Sequence, residues 1–152
     1  MGKPIYIKVE KTINHSLEKT WETVALGFGN VSDYNPIIKT SKFDSDTRSG
    51  IGTKRHCDFE PKGYIKEEII EWNDKKSFKL KFIETSTPMA FLESQFHFKE
   101  DEGKTIITQE FWYRMKAPMG WLSGLMKGKM KSTLEGGLIG LEKYLNNSYG
   151  SK

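Results

Sequence analysis

Residues 119–145, MGWLSGLMKGKMKSTLEGGLIGLEKYL, read as one amphipathic helix. Leu122, Leu125, Met126, Met130, Leu134, Leu138, Leu141 and Leu145 recur at spacings of three and four. At about 100° per residue they form one apolar stripe, with Lys127, Lys131, Glu135 and Glu142 opposite. Such a helix of about 25 residues is roughly 38 Å long. The same segment carries Gly124, Gly128, Gly136, Gly137 and Gly140. Each interior glycine costs about 1 kcal/mol against alanine. Two explanations stand side by side. The missing side chains leave room for a ligand, or the backbone packs closely and the helix breaks near Gly128.

Upstream, from Thr53 onward, the pattern changes to alternating strands of about 8 to 12 residues, which span roughly 27–40 Å. The lengths match, so the helix is expected to lie across the concave face of one curved antiparallel sheet.

A chain of 152 residues fits a single domain, 1–152, whose folding buries roughly 68–70% of the unfolded surface. Only 36% of residues are hydrophobic, yet Trp 4, Tyr 6 and Phe 9 allow an interior built of rings. The net charge of +4 is spread along the chain, which argues against nucleic acid as a partner and for a solvated face. Cys57 is the sole cysteine, so neither an internal disulfide nor a zinc cluster of cysteines is expected. No ligand spacing for a metal and no cofactor motif occurs. Met1-Gly2-Lys3-Pro4 lacks the apolar core of a signal peptide, Tyr6 spoils a myristoylation motif at Gly2, and no apolar run is long enough for stable membrane insertion. A cytoplasmic protein is expected.

Ile5, Ile7 and Val9 alternate with polar residues in a first strand. Ser16 is a good cap for a helix carrying Leu17, Trp21, Val24 and Ala25, stopped by Gly27-Phe28-Gly29-Asn30. Val31 to Tyr34 reads as one more helical turn, and residues 41–52 as a loop or ragged edge strand. Gly50-Ile51-Gly52 precedes a strand rather than a helix, so it is a turn and not a phosphate loop.

Strand register follows from the turns. A two-residue turn at Pro61-Lys62 sets Arg55 opposite Glu68, Cys57 opposite Lys66 and Phe59 opposite Tyr64. An odd loop, Asn73-Asp74-Lys75, puts Phe78, Leu80 and Phe82 on the side of Glu68, Ile70 and Trp72. Pairing Asp101 with Lys104 sets Phe98 opposite Ile107, Phe96 opposite Gln109, Ser94 opposite Phe111 and Leu92 opposite Tyr113.

The inward set is then Arg55, Cys57, Phe59, Glu68, Ser94, Phe96, Gln109, Phe111 and Tyr113, facing Met126, Met130 and Thr133. Arg55 and Glu68 should be paired if both face inward, since breaking a buried pair costs roughly 3–5 kcal/mol. They either orient a polar group of a ligand or fill the floor as a structural ion pair. Catalysis has little support. His15 sits in a connection, His56 and His97 point outward, and Cys57 reads as a buried thiol.

The stretches Ser16-Leu17-Glu18-Lys19-Thr20-Trp21, Val31-Ser32-Asp33-Tyr34-Asn35-Pro36 and Gly50-Ile51-Gly52-Thr53-Lys54-Arg55 carry a resemblance. So do Ile65 to Asp74, Gly103-Lys104-Thr105-Ile106-Ile107 and Leu138 to Leu145. In this order they resemble the α+β helix-grip fold of the START/pollen-allergen (SRPBCC) superfamily, closest to its polyketide cyclase/dehydrase-like branch, over about residues 5–146. The resemblance implies a hydrophobic cavity between sheet and long helix, with Arg55 and Glu68 at the family's inward Arg and Glu positions. No cyclase-type acid/base set stands at matching places. The expected function is binding or transport of a hydrophobic small molecule, lipid-like or polyketide-like, through Arg55, Cys57, Phe59, Glu68, Phe96, Gln109, Phe111, Tyr113, Met126 and Met130. The alternatives are a cyclase or dehydratase using Tyr113 or Glu68 as acid, and a protein-interaction module using the outer sheet face.

Overall fold

The computed structural model describes residues 3–149. Met1-Gly2 and the last residues of the tail, 150–152, lie outside the described residues. β1 (Ile5–Ile13) leads into α1 (Leu17–Trp21), which widens into a π turn (Glu22–Leu26) and is followed by a 3-10 turn (Phe28–Asp33). Then come β2 (Ile38–Phe43), β3 (Lys54–Phe59), β4 (Tyr64–Asn73), β5 (Ser77–Thr85), β6 (Met89–Asp101) and β7 (Lys104–Met115). After β7 follow a 3-10 turn (Met119–Trp121), α2 (Leu122–Leu125) and α3 (Lys127–Tyr149). The seven strands form one antiparallel sheet in the order β1-β7-β6-β5-β4-β3-β2. This curved half-barrel wraps α3, the helix-grip arrangement.

Local chemistry explains the boundaries. Ser16 caps α1, its Oγ accepting from the Lys19 N–H at 3.2 Å. The β6–β7 hairpin closes through Glu102 and Gly103, both at positive φ (52° and 81°), the conformation a two-residue hairpin turn requires. Its register is the expected one throughout, from Asp101 opposite Lys104 to Leu92 opposite Tyr113.

The β3–β4 register differs by one residue. Phe59 N–H donates to Gly63 O at 2.8 Å, so Glu60, Pro61 and Lys62 form a three-residue loop. Asp58 pairs with Tyr64, Cys57 with Ile65 and Arg55 with Glu67. Because side chains alternate across a strand, the slip exchanges the faces of β4. Ile65, Glu67 and Ile69 are buried, and Glu68 points to the convex face. A bulge between Ile69 and Glu71 then restores Trp72 to the inner side, where it pairs with Phe78. The β4–β5 loop is correspondingly Asp74-Lys75-Lys76, since Asn73 pairs with Ser77.

The terminal helix is also interrupted. At Met126 the backbone (φ −88°, ψ −1°) separates α2 from α3 and turns Leu125 outward, 73% exposed instead of on the buried stripe. Beyond that break the stripe divides in two. Leu138, Leu141 and Leu145 are fully packed, whereas Met126, Met130 and Leu134 are only partly buried. The helix continues past Asn146 to Tyr149, further than the apolar stripe alone indicates. At the packed end Trp21 stacks edge-on against Trp72, Phe78 and Phe98, with ring centroids 5.1, 6.1 and 5.0 Å away. Among the described residues no helix is long and apolar enough to cross a membrane.

Candidate functional site

Under the half-packed part of α3 lies a cavity of about 520 Å³. Its walls come from the inner faces of β3 to β7, the segment 34–38 and α3. Ile37, Pro88 and Lys129 belong to the lining and are exposed, so they mark where the cavity meets solvent.

Seven of the residues expected from the sequence line this space: Arg55, Phe59, Phe96, Gln109, Phe111, Met126 and Met130. Three do not. Glu68 lies on the far face of β4, and Glu67 lines the cavity in its place. Cys57 is inward but 1% exposed and covered by its neighbours. Tyr113 is fully buried, and its hydroxyl donates to the backbone oxygen of Ser123, tying β7 to α2. The Ser123 hydroxyl reinforces that junction by accepting from the Met115 N–H at 3.0 Å.

The ion pair is Arg55–Glu67. Arg55 Nε donates to Glu67 Oε1 at 2.8 Å and Nη2 lies 2.8 Å from the same oxygen. Nη1 donates to the Phe28 carbonyl at 3.1 Å, and the guanidinium sits 4.0 Å from the centre of the Phe28 ring. Desolvation is the largest influence and opposes the charge on Arg55, but Glu67, Cys57 and Tyr34 together more than offset it and raise the guanidinium pKa. Burial pushes the Tyr34 phenol up to about 12, although Arg55 pulls the other way. Burial does the same to the Cys57 thiol, also to about 12 against the pull of Arg55. A second polar point is neutral: Gln109 Nε2 donates to Ser94 Oγ at 3.0 Å on the β6–β7 floor.

The histidines stand apart from the cavity. His15 is buried, with Nε2 2.7 Å from Asn146 Oδ1. His56 bonds Asp58 and His97 bonds Glu110 on the outer face. Among the described residues no group of His, Cys, Asp and Glu could hold a metal ion.

Two of the five helix glycines have a packing reason. A side chain on Gly140 would collide with the Tyr34 backbone oxygen, and one on Gly137 would come within 3.2 Å of the Asn35 amide. Gly124, Gly128 and Gly136 face open space. The close approach at Gly140 clamps α3 onto segment 34–36, one wall of the cavity mouth.

The model of the family described as polyketide cyclase / dehydrase and lipid transport matches residues 4–146. The chain belongs to this family. Solved structures share the fold of this polyketide cyclase/dehydrase and lipid-transport member across nearly its whole length. A protein from Thermus thermophilus superposes with a TM-score of 0.78 at 19% identity, covering 95% of this chain and 99% of its own. The protein XoxI from Bacillus cereus gives 0.76 at 18% identity, covering 95% and 98%. Ginseng major latex-like protein 151 from Panax ginseng gives 0.72 at 14% identity, covering 94% and 98%. At these identities the likeness is one of fold. No curated protein matches the sequence. The family, whose description includes lipid transport, supports a hydrophobic-ligand-binding role in general terms.

Proposed function

We propose that the protein carries an apolar small molecule, lipid-like or built of rings, in the space between the sheet and α3. The supporting observation is the cavity itself. Protein interiors are normally filled to crystal-like density. A space of about 520 Å³ falls within the range of roughly 300–1,000 Å³ that ligand pockets occupy. Phe59, Phe96, Phe111, Met126 and Met130 offer the apolar contact, and methionine adapts to varied shapes. Arg55 and Gln109 offer the polar points that orient a ligand. The cyclase reading needs a free acid in the cavity: Glu68 and Tyr113 do not line it, and Glu67, which does, is ion-paired with Arg55. Carriage is therefore the reading adopted.

Native mass spectrometry of the protein as purified from cells should show a population heavier than the polypeptide by one small molecule. The neutral dye N-phenyl-1-naphthylamine should bind saturably, one per chain, with enhanced fluorescence. A bare polypeptide mass together with no saturable dye binding would sink the proposal.

A further inference from the structure

We infer that the cavity selects ligands whose polar end is uncharged and hydrogen-bonding, such as an alcohol, phenol, ketone or amide, over carboxylates and amines. The inference rests on the carrier reading and specifies its substrate class. An arginine in an apolar cavity would ordinarily anchor an anion, because its planar fork of N–H donors fits a carboxylate. Here that role is already taken. Glu67, from the neighbouring strand, accepts from Nε on its Oε1 with Nη2 2.8 Å from the same oxygen, and the Phe28 carbonyl accepts from Nη1. The two side chains bury together, at 11% and 10% side-chain exposure, and their charges cancel within the wall.

The other charged lining residue is Lys129, exposed at the mouth. Tyr34 and Cys57 adjoin the pair and stay neutral near physiological pH, since burial holds both near 12. The other polar side chains of the lining, Asn35, Thr87, Thr133 and the bonded pair Gln109 and Ser94, are neutral as well. An anion placed against the pair would meet Glu67 and find Arg55 already neutralised, with Lys129 out at the solvent-exposed mouth. A cation would meet Arg55. Either must shed its hydration without meeting an unneutralised counter-charge there. A hydroxyl head faces no such penalty. Three contacts engage part of the five N–H groups a guanidinium carries, so donors remain on Arg55. Both contacts to Glu67 go to Oε1, which leaves Oε2 to accept from a hydroxyl.

The test displaces N-phenyl-1-naphthylamine with 1-decanol, decanoate and decylammonium at about pH 7.5, where the last two are ionised. The wild type should bind decanol at least roughly tenfold more tightly than either ion. Glu67→Gln keeps the shape and hydrogen bonding of the partner but frees the charge of Arg55. It should raise decanoate affinity by roughly tenfold or more, so that the preference for decanol over decanoate narrows or reverses. Glu68→Gln, on the outer face, should change neither. Decanoate bound by the wild type as tightly as decanol would overturn the inference, and that comparison needs no variant to fold. So would a folded Glu67→Gln protein whose decanoate affinity is unchanged. Failure of the dye and all three probes to bind would instead remove the carrier reading, and this inference with it.

Discussion

Gly140 and Gly136 lie on the same helix yet should respond oppositely to one added methyl group. At Gly140 the new Cβ runs into the Tyr34 backbone oxygen, which cannot rotate aside. Gly140→Ala should therefore destabilise the protein by about 1–3 kcal/mol, despite alanine's better helix propensity. At Gly136 the methyl group meets open space, so Gly136→Ala should stabilise by up to about 1 kcal/mol. Urea unfolding midpoints of the two variants check both signs. The buried phenol and thiol give a second expectation. For Cys57 and Tyr34 the folded pKa lies above the unfolded value, near 12 against roughly 9 and 10. The folded state thus holds those protons more tightly. The associated stability is fully present below about pH 9 and is lost as pH rises toward 12. Each tenfold difference in proton affinity between the folded and unfolded chain is worth about 1.4 kcal/mol, so the loss should reach a few kcal/mol. Unfolding midpoints at about pH 8 and pH 11 would measure it, and a flat profile would contradict it.

The elements differ in how far the sequence exposes them. The β6–β7 hairpin is legible because Gly103 marks a two-residue turn and the apolar residues on both strands agree with that register. The β3–β4 hairpin is not, because Pro61-Lys62 looks like a two-residue turn and the loop uses Glu60 as well. Neighbouring glutamates make the slip invisible: Glu67 and Glu68 are chemically alike, and only the register tells them apart. The bulge after Ile69 hides for a similar reason, since Ile70 and Trp72 continue an apolar alternation that the backbone does not follow. The seven lining residues that the sequence reveals lie on β3, β6, β7 and the α2–α3 segment, where alternation and helical spacing assign the inner face correctly. Tyr113 shares the inner face, but parity alone cannot reveal that its hydroxyl is spent on the start of α2. Tyr113→Phe should cost about 1–3 kcal/mol, since it strands the Ser123 carbonyl in a buried place. Ligand affinity should move by less than about threefold. Thermal unfolding and dye titration of the same variant separate the two effects.

At the scale of the whole molecule, one helix does two jobs along its length. Its last turns pack Leu145 into the core, its first turns and the preceding Met126 roof the cavity with Met130 and Leu134, and the buried Leu138 and Leu141 between them serve both. A guest would therefore complete an interior that the chain alone leaves unfilled, and its binding must add to folding stability. A ligand at about 100 times its Kd contributes about 2.7 kcal/mol. For a chain of this size that corresponds to a rise in Tm of roughly 5–11 °C. Decanol titrated against thermal unfolding should show it, with the rise growing logarithmically with concentration.

The solitary Cys57 thiol, sealed behind β3 and kept protonated, also leaves the rest of the surface chemically silent toward maleimides. A single Lys129→Cys change would then place the one reachable thiol at the rim, where a spin label or fluorophore could report ligand binding in real time without any background to subtract.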